Sequence, residues 1–135
     1  MRARGERGSA SAEIVIIAPI LILMTAVALT LGRLAIDRGE VAEAARAAAE
    51  AASVWPTAPQ ANEAAQLAAA YSLVHDGLDC LSPRVVVDAA SLAPGGELAV
   101  TVSCTVQLES SFGLPGAVTL VSSAVAPIET YRELG

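Results

Sequence analysis

The chain has 135 residues, enough for one modest domain and an anchor, and 54% of them are hydrophobic. Its formal net charge is −6, and because an acidic chain matches the phosphates of nucleic acid poorly, we expect no nucleic-acid partner. Aromatic residues make up only 3% of the chain, which argues against an aromatic-lined pocket for a small-molecule substrate.

The first predicted element is an apolar helix that is long enough to cross a membrane. Residues 14–32 contain no charged side chain, and a helix of that length spans about 28 Å, close to the thickness of a bilayer's hydrocarbon core. Arg2, Arg4 and Arg7 precede it, so the positive-inside rule predicts a cytoplasmic N-terminus and an extracytoplasmic body. We therefore expect a single-pass protein of the cytoplasmic membrane.

Glu13 stands directly before this apolar run, where an acid drawn into lipid needs a partner. A glycine, Gly8, four further residues, the glutamate and then an apolar helix together resemble the processing site of type IV pilin-like proteins. In that family a membrane-embedded prepilin peptidase cuts after the glycine, which implies a cut between Gly8 and Ser9 here. The new amine of Ser9 would lie on the same helix face as Glu13, and it would neutralise a neighbouring copy's glutamate in an apolar bundle.

Two other interpretations of the N-terminus stay open. Residues 26–28, Ala-Val-Ala, resemble the cleavage site of a secretory signal peptide, which would make Leu29 the first mature residue. A plain single-pass anchor would keep Met1.

Two helices are predicted beyond the membrane segment. The first continues through residues 33–53, which are rich in alanine, glutamate and arginine. The second follows Thr57, which forms a capping-box pattern with Gln60, and ends at residues 75–77, His-Asp-Gly. Trp55, between the helices, is predicted to be a core anchor. The apolar stripe of the second helix is predicted to be drawn from Ala61, Ala64, Ala65, Leu67, Ala68, Tyr71 and Val74.

The last part of the chain has the pattern of β-strands. Residues 84–90, 97–108 and 117–128 are predicted strands, and a Gly95-Gly96 turn precedes the second of them. That second strand is predicted to turn one row of side chains inward, namely Leu98, Val100, Val102, Cys104, Val106 and Leu108. The predicted fold class is α+β and pilin-like: a long N-terminal transmembrane helix that continues outside the membrane, a second helix, and an antiparallel sheet of about three strands.

Four segments carry a family resemblance over nearly the whole chain: RGSASAEIVIIAPILILM, AARAAAEAAS, GGELAVTVSCTVQL and LPGAVTLVSSAVAPIETYR. Together they resemble the TadE-like family of the tight-adherence (Tad) pilus system. The resemblance implies a minor pilin or pseudopilin, processed at a site formed by Gly8, Ser9 and Glu13, that serves in assembling Flp-type pili and in adhesion. The implied partners are the prepilin peptidase, other Tad pilins and the pilus assembly platform.

We therefore divide the chain into a leader peptide at residues 1–8, a transmembrane helix at 9–32 and an extracytoplasmic pilin-like domain at 33–135. The alternative is an anchored or secreted extracytoplasmic binding domain with no filament role.

Cys80 and Cys104 are the two cysteines, and both lie on the predicted outer side, where disulfides form. A disulfide between them would close a loop of about 25 residues and stabilise the fold by about 3–4 kcal/mol; two buried free thiols are the alternative. Structural zinc needs four ligands and His75 is the only histidine, so we expect no metal and no cofactor. No nucleophile elbow, glycine-rich dinucleotide motif or P-loop is present, and we expect no enzymatic activity.

Overall fold

The structure, a computed structural model, describes residues 6–89, 92–108, 113 and 115–130, with side chains described from residue 12 onward. In chain order its elements are α1 (Glu6–Ser53), α2 (Ala58–His75), β1 (Arg84–Asp88), β2 (Glu97–Gln107) and β3 (Ala117–Pro127). Two helices followed by a three-stranded antiparallel sheet confirm the predicted α+β class.

The described chain divides into two compact units, Met1–Leu34 and Ala35–Gly135. Helix α1 supplies the described part of the first unit and also extends into the second. Pro19 and Gly39 both lie inside α1, so neither residue ends the helix. Proline and glycine are the poorest helix formers, but the many alanine, leucine and arginine residues around them favour the helix strongly enough for it to continue through both positions.

The sheet belongs to the second unit and has the order β1-β2-β3, with both pairings antiparallel. The central strand, β2, alternates as predicted and is buried on one face, with Leu98, Val100, Val102, Cys104 and Val106 forming that row. Ala126 lies opposite the first of these residues and Leu120 opposite Cys104, and both are buried too. The inner face of the sheet is therefore mainly apolar, with the half-buried Ser122, opposite Val102, as a polar residue within it.

Alanine forms most of the buried surface of the helices in the second unit. The buried residues of α1 recur at the spacing of one helix face: Val41, Ala44, Ala45, Ala48, Ala49 and Ala52. The buried residues of α2 do the same: Ala61, Ala65, Ala69 and Leu73. Because a methyl group is short, faces of this kind let a helix backbone approach its neighbours closely.

The apolar stripe predicted for α2 is therefore partly wrong. Ala61 and Ala65 are buried, but Leu67, Tyr71 and Val74 lie on the opposite side of the helix and are exposed. The helix carries apolar residues on both sides, so their periodicity does not decide which side turns inward. The structure buries Ala61, Ala65 and Ala69 together with Leu73, and leaves the other large apolar residues of the helix exposed.

Trp55 is also not the core anchor that was predicted, since 43% of its surface is exposed. It follows the C-terminus of α1, where its backbone N–H donates to the Ala52 carbonyl at 3.2 Å. The predicted capping box at Thr57 differs in detail as well. Thr57 is the N-cap of α2, but its hydroxyl donates to the Gln60 side-chain oxygen at 2.8 Å instead of bonding the helix backbone.

Candidate functional site

The predicted processing residues lie at the start of α1. The helix begins at Glu6, so the backbones of Gly8 and Ser9 are in its first turn, while their side chains lie outside the described part of the structure. A peptide bond within a helical turn is closed to a peptidase until that turn unwinds, and terminal turns are the part of a helix that frays most readily. Cutting between these two residues would give α1 a new terminus at Ser9.

Glu13 is the first charged residue with a described side chain, and it is exposed on α1. Among the residues whose side chains are described, none forms a hydrogen bond or an ion pair with it. Glu13 is the eighth residue of α1, too far from the helix start for the helix dipole to stabilise it, whereas a cut before Ser9 would make it the fifth residue. The Ser9 amine that a cut would create lies four residues away on the same face, so the helix itself brings these two groups near each other.

The helix that follows Glu13 is apolar on every side. Large aliphatic residues are exposed all around it, among them Ile14, Ile17, Leu21 and Leu29. In the part of the chain that the structure describes, this helix is the one long and apolar enough to cross a membrane by length and composition. A helix with no polar face is typical of a membrane span, because water would solvate such a surface poorly.

Polar groups inside the apolar stretch are satisfied by the helix itself. The hydroxyl of Thr25 donates to the Leu21 carbonyl at 2.8 Å, and that of Thr30 donates to the Ala26 carbonyl at 2.9 Å. Such bonds to a carbonyl one turn earlier let threonine enter an apolar medium without an unpaired donor. Pro19 has the opposite effect, because it has no N–H to donate to the carbonyl one turn before it.

The second predicted feature, the disulfide between Cys80 and Cys104, is present, with 5.4 Å between the two Cα atoms. Helix α2 ends in a Schellman motif, in which the Leu78 N–H donates to the Leu73 carbonyl at 3.0 Å and Gly77 has a φ of 76°. This turn leads the chain to Cys80. The next residue, Leu81, donates its N–H to the Thr105 carbonyl at 2.9 Å, so a backbone bond accompanies the disulfide.

Near the C-terminus of α2 the second unit has a local excess of negative charge. Burial raises the pKa of the Glu40 carboxyl, and the neighbouring carboxylates of Asp37 and Asp76 raise it further. Asp37 lies on α1 with Glu40, and Asp76 caps α2, so the repulsion acts within α1 and also between the two helices. No group of three or more histidine, cysteine or acidic side chains in the described chain is arranged to hold a metal ion.

His75 and its neighbours show no arrangement suited to nucleophilic catalysis. The His75 ring stacks on Tyr71 with 5.8 Å between ring centroids, and its Nδ1 lies 3.6 Å from an Asp76 carboxylate oxygen. The hydroxyl of Ser72 donates to the same carboxylate at 3.4 Å and not to the imidazole. A serine nucleophile needs the histidine itself as its base, so these three residues do not form a triad.

One comparison with known proteins gives a result. Residues 8–50 match the model of a family described as TadE-like protein, which confirms the resemblance found in the sequence for that third of the chain. The match begins at Gly8 and ends three residues before the end of α1, so the strands that also entered the resemblance lie outside it. No curated protein and no solved structure matches the chain.

Proposed function

From the match of residues 8–50 to the TadE-like family, we propose that the chain is a minor pilin or pseudopilin of a Tad (Flp-type) pilus system. It is made as a membrane-anchored precursor with a cytoplasmic N-terminus, and a prepilin peptidase removes residues 1–8. The rest of the chain is held in the membrane by α1, or is drawn from there into a filament with other Tad pilins through the assembly platform.

One observation supports this proposal above the others: the family match starts at the glycine of the predicted cut. Glu13 follows at the edge of a helix that is apolar on every side. In a plain anchor a carboxylate at that position brings no benefit, because drawing it into lipid without a partner costs free energy. A subunit of an apolar helical bundle has such a use, because the carboxylate can pair with the amine of the adjacent copy.

The cut itself is tested by determining the N-terminus of the full chain purified from membranes. Intact mass and N-terminal sequencing should give Ser9 when the prepilin peptidase is present and Met1 when it is absent. Gly8→Leu should block the cut, while the matched control Gly5→Leu, three residues upstream, should be cut normally. A mature start at Leu29 would mean signal peptidase and would refute the proposal, and a Met1 terminus with the peptidase present would favour a plain anchor.

The role of Glu13 is tested separately from cleavage. Glu13→Ala should be cut at a normal or modestly lower rate, yet the variant should be recovered poorly in sheared pili or in the assembly complex. Glu50→Ala, at an exposed glutamate on the same helix, is the matched control and should be incorporated normally. Equal recovery of the two variants would show that no pairing of the Glu13 carboxylate contributes to assembly.

A further inference from the structure

The outer border of the sheet at β3 is long and carries no charge. This strand has 11 residues, AVTLVSSAVAP, and its one proline, Pro127, stands at the last position. It pairs with β2 along its whole length without a break in register. The other border, β1, has only 5 residues, with Arg84 at one end and Asp88 at the other, and α2 packs beside it.

The hydrogen bonds at the two ends of the β2–β3 pair show which backbone groups of β3 point outward. The Ile128 N–H donates to the Gly96 carbonyl at 2.9 Å, and the Leu108 N–H donates to the Gly116 carbonyl at 2.8 Å. Bonded pairs alternate with non-bonded pairs in an antiparallel ladder, so every even-numbered residue of β3 bonds to β2. The C=O groups of the odd-numbered residues therefore point away from the sheet, and so do their N–H groups, except at Pro127, which has none. We call this row the β3 edge.

Among the residues that the structure describes, the β3 edge lacks most of the features that usually keep a strand border from pairing with another chain. Such borders are usually very short, charged, bulged, interrupted by proline or covered by a helix. Here the edge residues Thr119, Val121, Ser123 and Val125 are neutral and exposed, and the two valines expose 64% and 59% of their surface. Three of these four are β-branched, which favours an extended partner.

We propose that the β3 edge pairs with the β3 edge of a second copy of this chain, antiparallel about a two-fold axis at Ser123. The result is a six-stranded sheet that is continuous through the two copies. In this register Ser123 lies opposite its own copy, and Val121 of each chain lies opposite Val125 of the other. All three pairs join odd-numbered residues, whose N–H and C=O groups are the ones that point outward.

The same register is self-complementary on the inner face of the sheet. It places Leu120 of one copy opposite Ala126 of the other, and these are the two buried residues of β3. Both side chains are already buried within one copy, at 4% and 5% exposure, so the new contact area of this register lies at the exposed valines, Val121 and Val125.

Charge favours a second copy at this border over the rest of the surface. The chain carries a net charge of −6, so two copies repel each other over most approaches. The β3 strand has no ionisable side chain, and in the proposed register residues 119–127 of each copy face the same neutral residues of the other; beyond them Ala117 faces Glu129 of the partner copy. The pairing requires neither cleavage at Gly8 nor assembly into a pilus.

Disulfide cross-linking of the full chain in detergent micelles tests the register. Ser123→Cys should give a covalent dimer on mild oxidation, because bonded pairs in an antiparallel ladder have Cα atoms about 5.5 Å apart, within disulfide range. Thr57→Cys, also at an exposed residue but on the loop before α2, is the matched control and should stay monomeric. A dimer of this control would reveal cross-linking that arises from exchange with the native disulfide, or from chains that associate only through their apolar helices.

A mixed pair makes the test specific for the two-fold axis. Val121→Cys alone should not dimerise, because its copy lies four residues along the partner strand, about 14 Å away. Val121→Cys mixed with a differently tagged Val125→Cys chain should cross-link as the heterodimer. Failure of this mixed pair, or cross-linking of Thr57→Cys as fast as Ser123→Cys, would overturn the proposal.

Proline substitution separates pairing from folding. Ser123→Pro removes an N–H that points outward, so the fold should persist while the mixed valine-site cross-link is lost. Ser122→Pro removes an N–H that bonds to β2 and should lower the thermal midpoint of the domain. If Ser123→Pro leaves the cross-link unchanged, the β3 edge is not the contact. The Ser123→Cys chain isolated from cells could instead be cross-linked to a different protein and not to a second copy of itself. That protein would then occupy the β3 edge, and the proposal would be wrong.

Discussion

Reduction of the disulfide between Cys80 and Cys104 should lower the free energy of unfolding of the second unit by about 3.5 kcal/mol. The two residues are separated by 24 positions, and the entropy of closing a loop of that size in the unfolded chain gives this value. The loss is a large fraction of the 5–15 kcal/mol that is typical of a domain. For a domain of about 100 residues it corresponds to a fall of about 15–25 °C in the thermal midpoint.

The assay is pulse proteolysis of the full chain in detergent across a temperature series, with and without reductant. The protease cleaves the unfolded second unit, so the surviving full-length band reports the folded fraction. Cys80→Ala combined with Cys104→Ala is the control, since its midpoint should be low and should not change when reductant is added. A midpoint for the wild-type chain that falls by less than about 5 °C on reduction would refute the chain-entropy argument. In that case the hydrogen bond from the Leu81 N–H to the Thr105 carbonyl would have to keep the segment after α2 attached to β2 without the disulfide.

Three further substitutions test the packing, a turn and the acidic contact. Ala48→Leu adds three carbons at a fully buried position and should destabilise the fold by about 1–3 kcal/mol in thermal unfolding, whereas Ala70→Leu on the exposed side of α2 should change it little. Gly95→Ala should lower stability by about 1–2 kcal/mol because φ is +80° there, while Gly39→Ala, in open space inside α1, should raise it by about 0.5–1 kcal/mol; equal effects would contradict the role given to backbone conformation. Glu40→Gln should raise stability at pH 7. Folding raises the pKa of this carboxyl above its ordinary value of 4.5, so ionised Glu40 destabilises the fold, and the advantage of the variant should shrink as pH falls towards 4.5; an advantage that grows on acidification would contradict the sign.

The strands and the long apolar helix are the parts that the sequence predicts well. Alternation in β2 is unambiguous because polar Thr101, Ser103 and Thr105 separate the apolar residues, and the strand begins at the predicted residue and ends one residue early. The Cys80–Cys104 disulfide follows from the count of cysteines and their predicted compartment. In each case one physical signal dominates and no second signal competes with it.

The orientation of α2 and the position of Trp55 are not predictable in the same way. In an alanine-rich helix nearly every residue is acceptable on either side, so hydrophobicity identifies the helix without identifying its buried face. Size does not identify it either: the buried row Ala61, Ala65 and Ala69 is small, but the neighbouring row Ala64, Ala68 and Ser72 is equally small, and the buried row continues to Leu73. Trp55 shows a related limit, because a tryptophan is rarely buried completely even when it is the only one in a chain.

The processing residues have a different status, because their role depends on chemistry between molecules. The structure gives the backbone of Gly8 and Ser9 and the exposure of Glu13, and the cut and the pairing stay predictions. A single chain contains neither the peptidase nor the neighbouring helix that would complete the site.

The alanine faces of α1 and α2 have a thermodynamic consequence of their own. An alanine side chain has no rotamers to lose, so ordering Ala44, Ala48, Ala61 and Ala65 carries no side-chain conformational entropy cost. Each one also removes only a single methyl group from water, so stability is spread over many small and nearly equal contributions. These helix faces therefore have few alternative side-chain arrangements. They tolerate the loss of a methyl group at modest cost, but a larger side chain placed there has alanine neighbours on its own face that cannot change rotamer to make room for it.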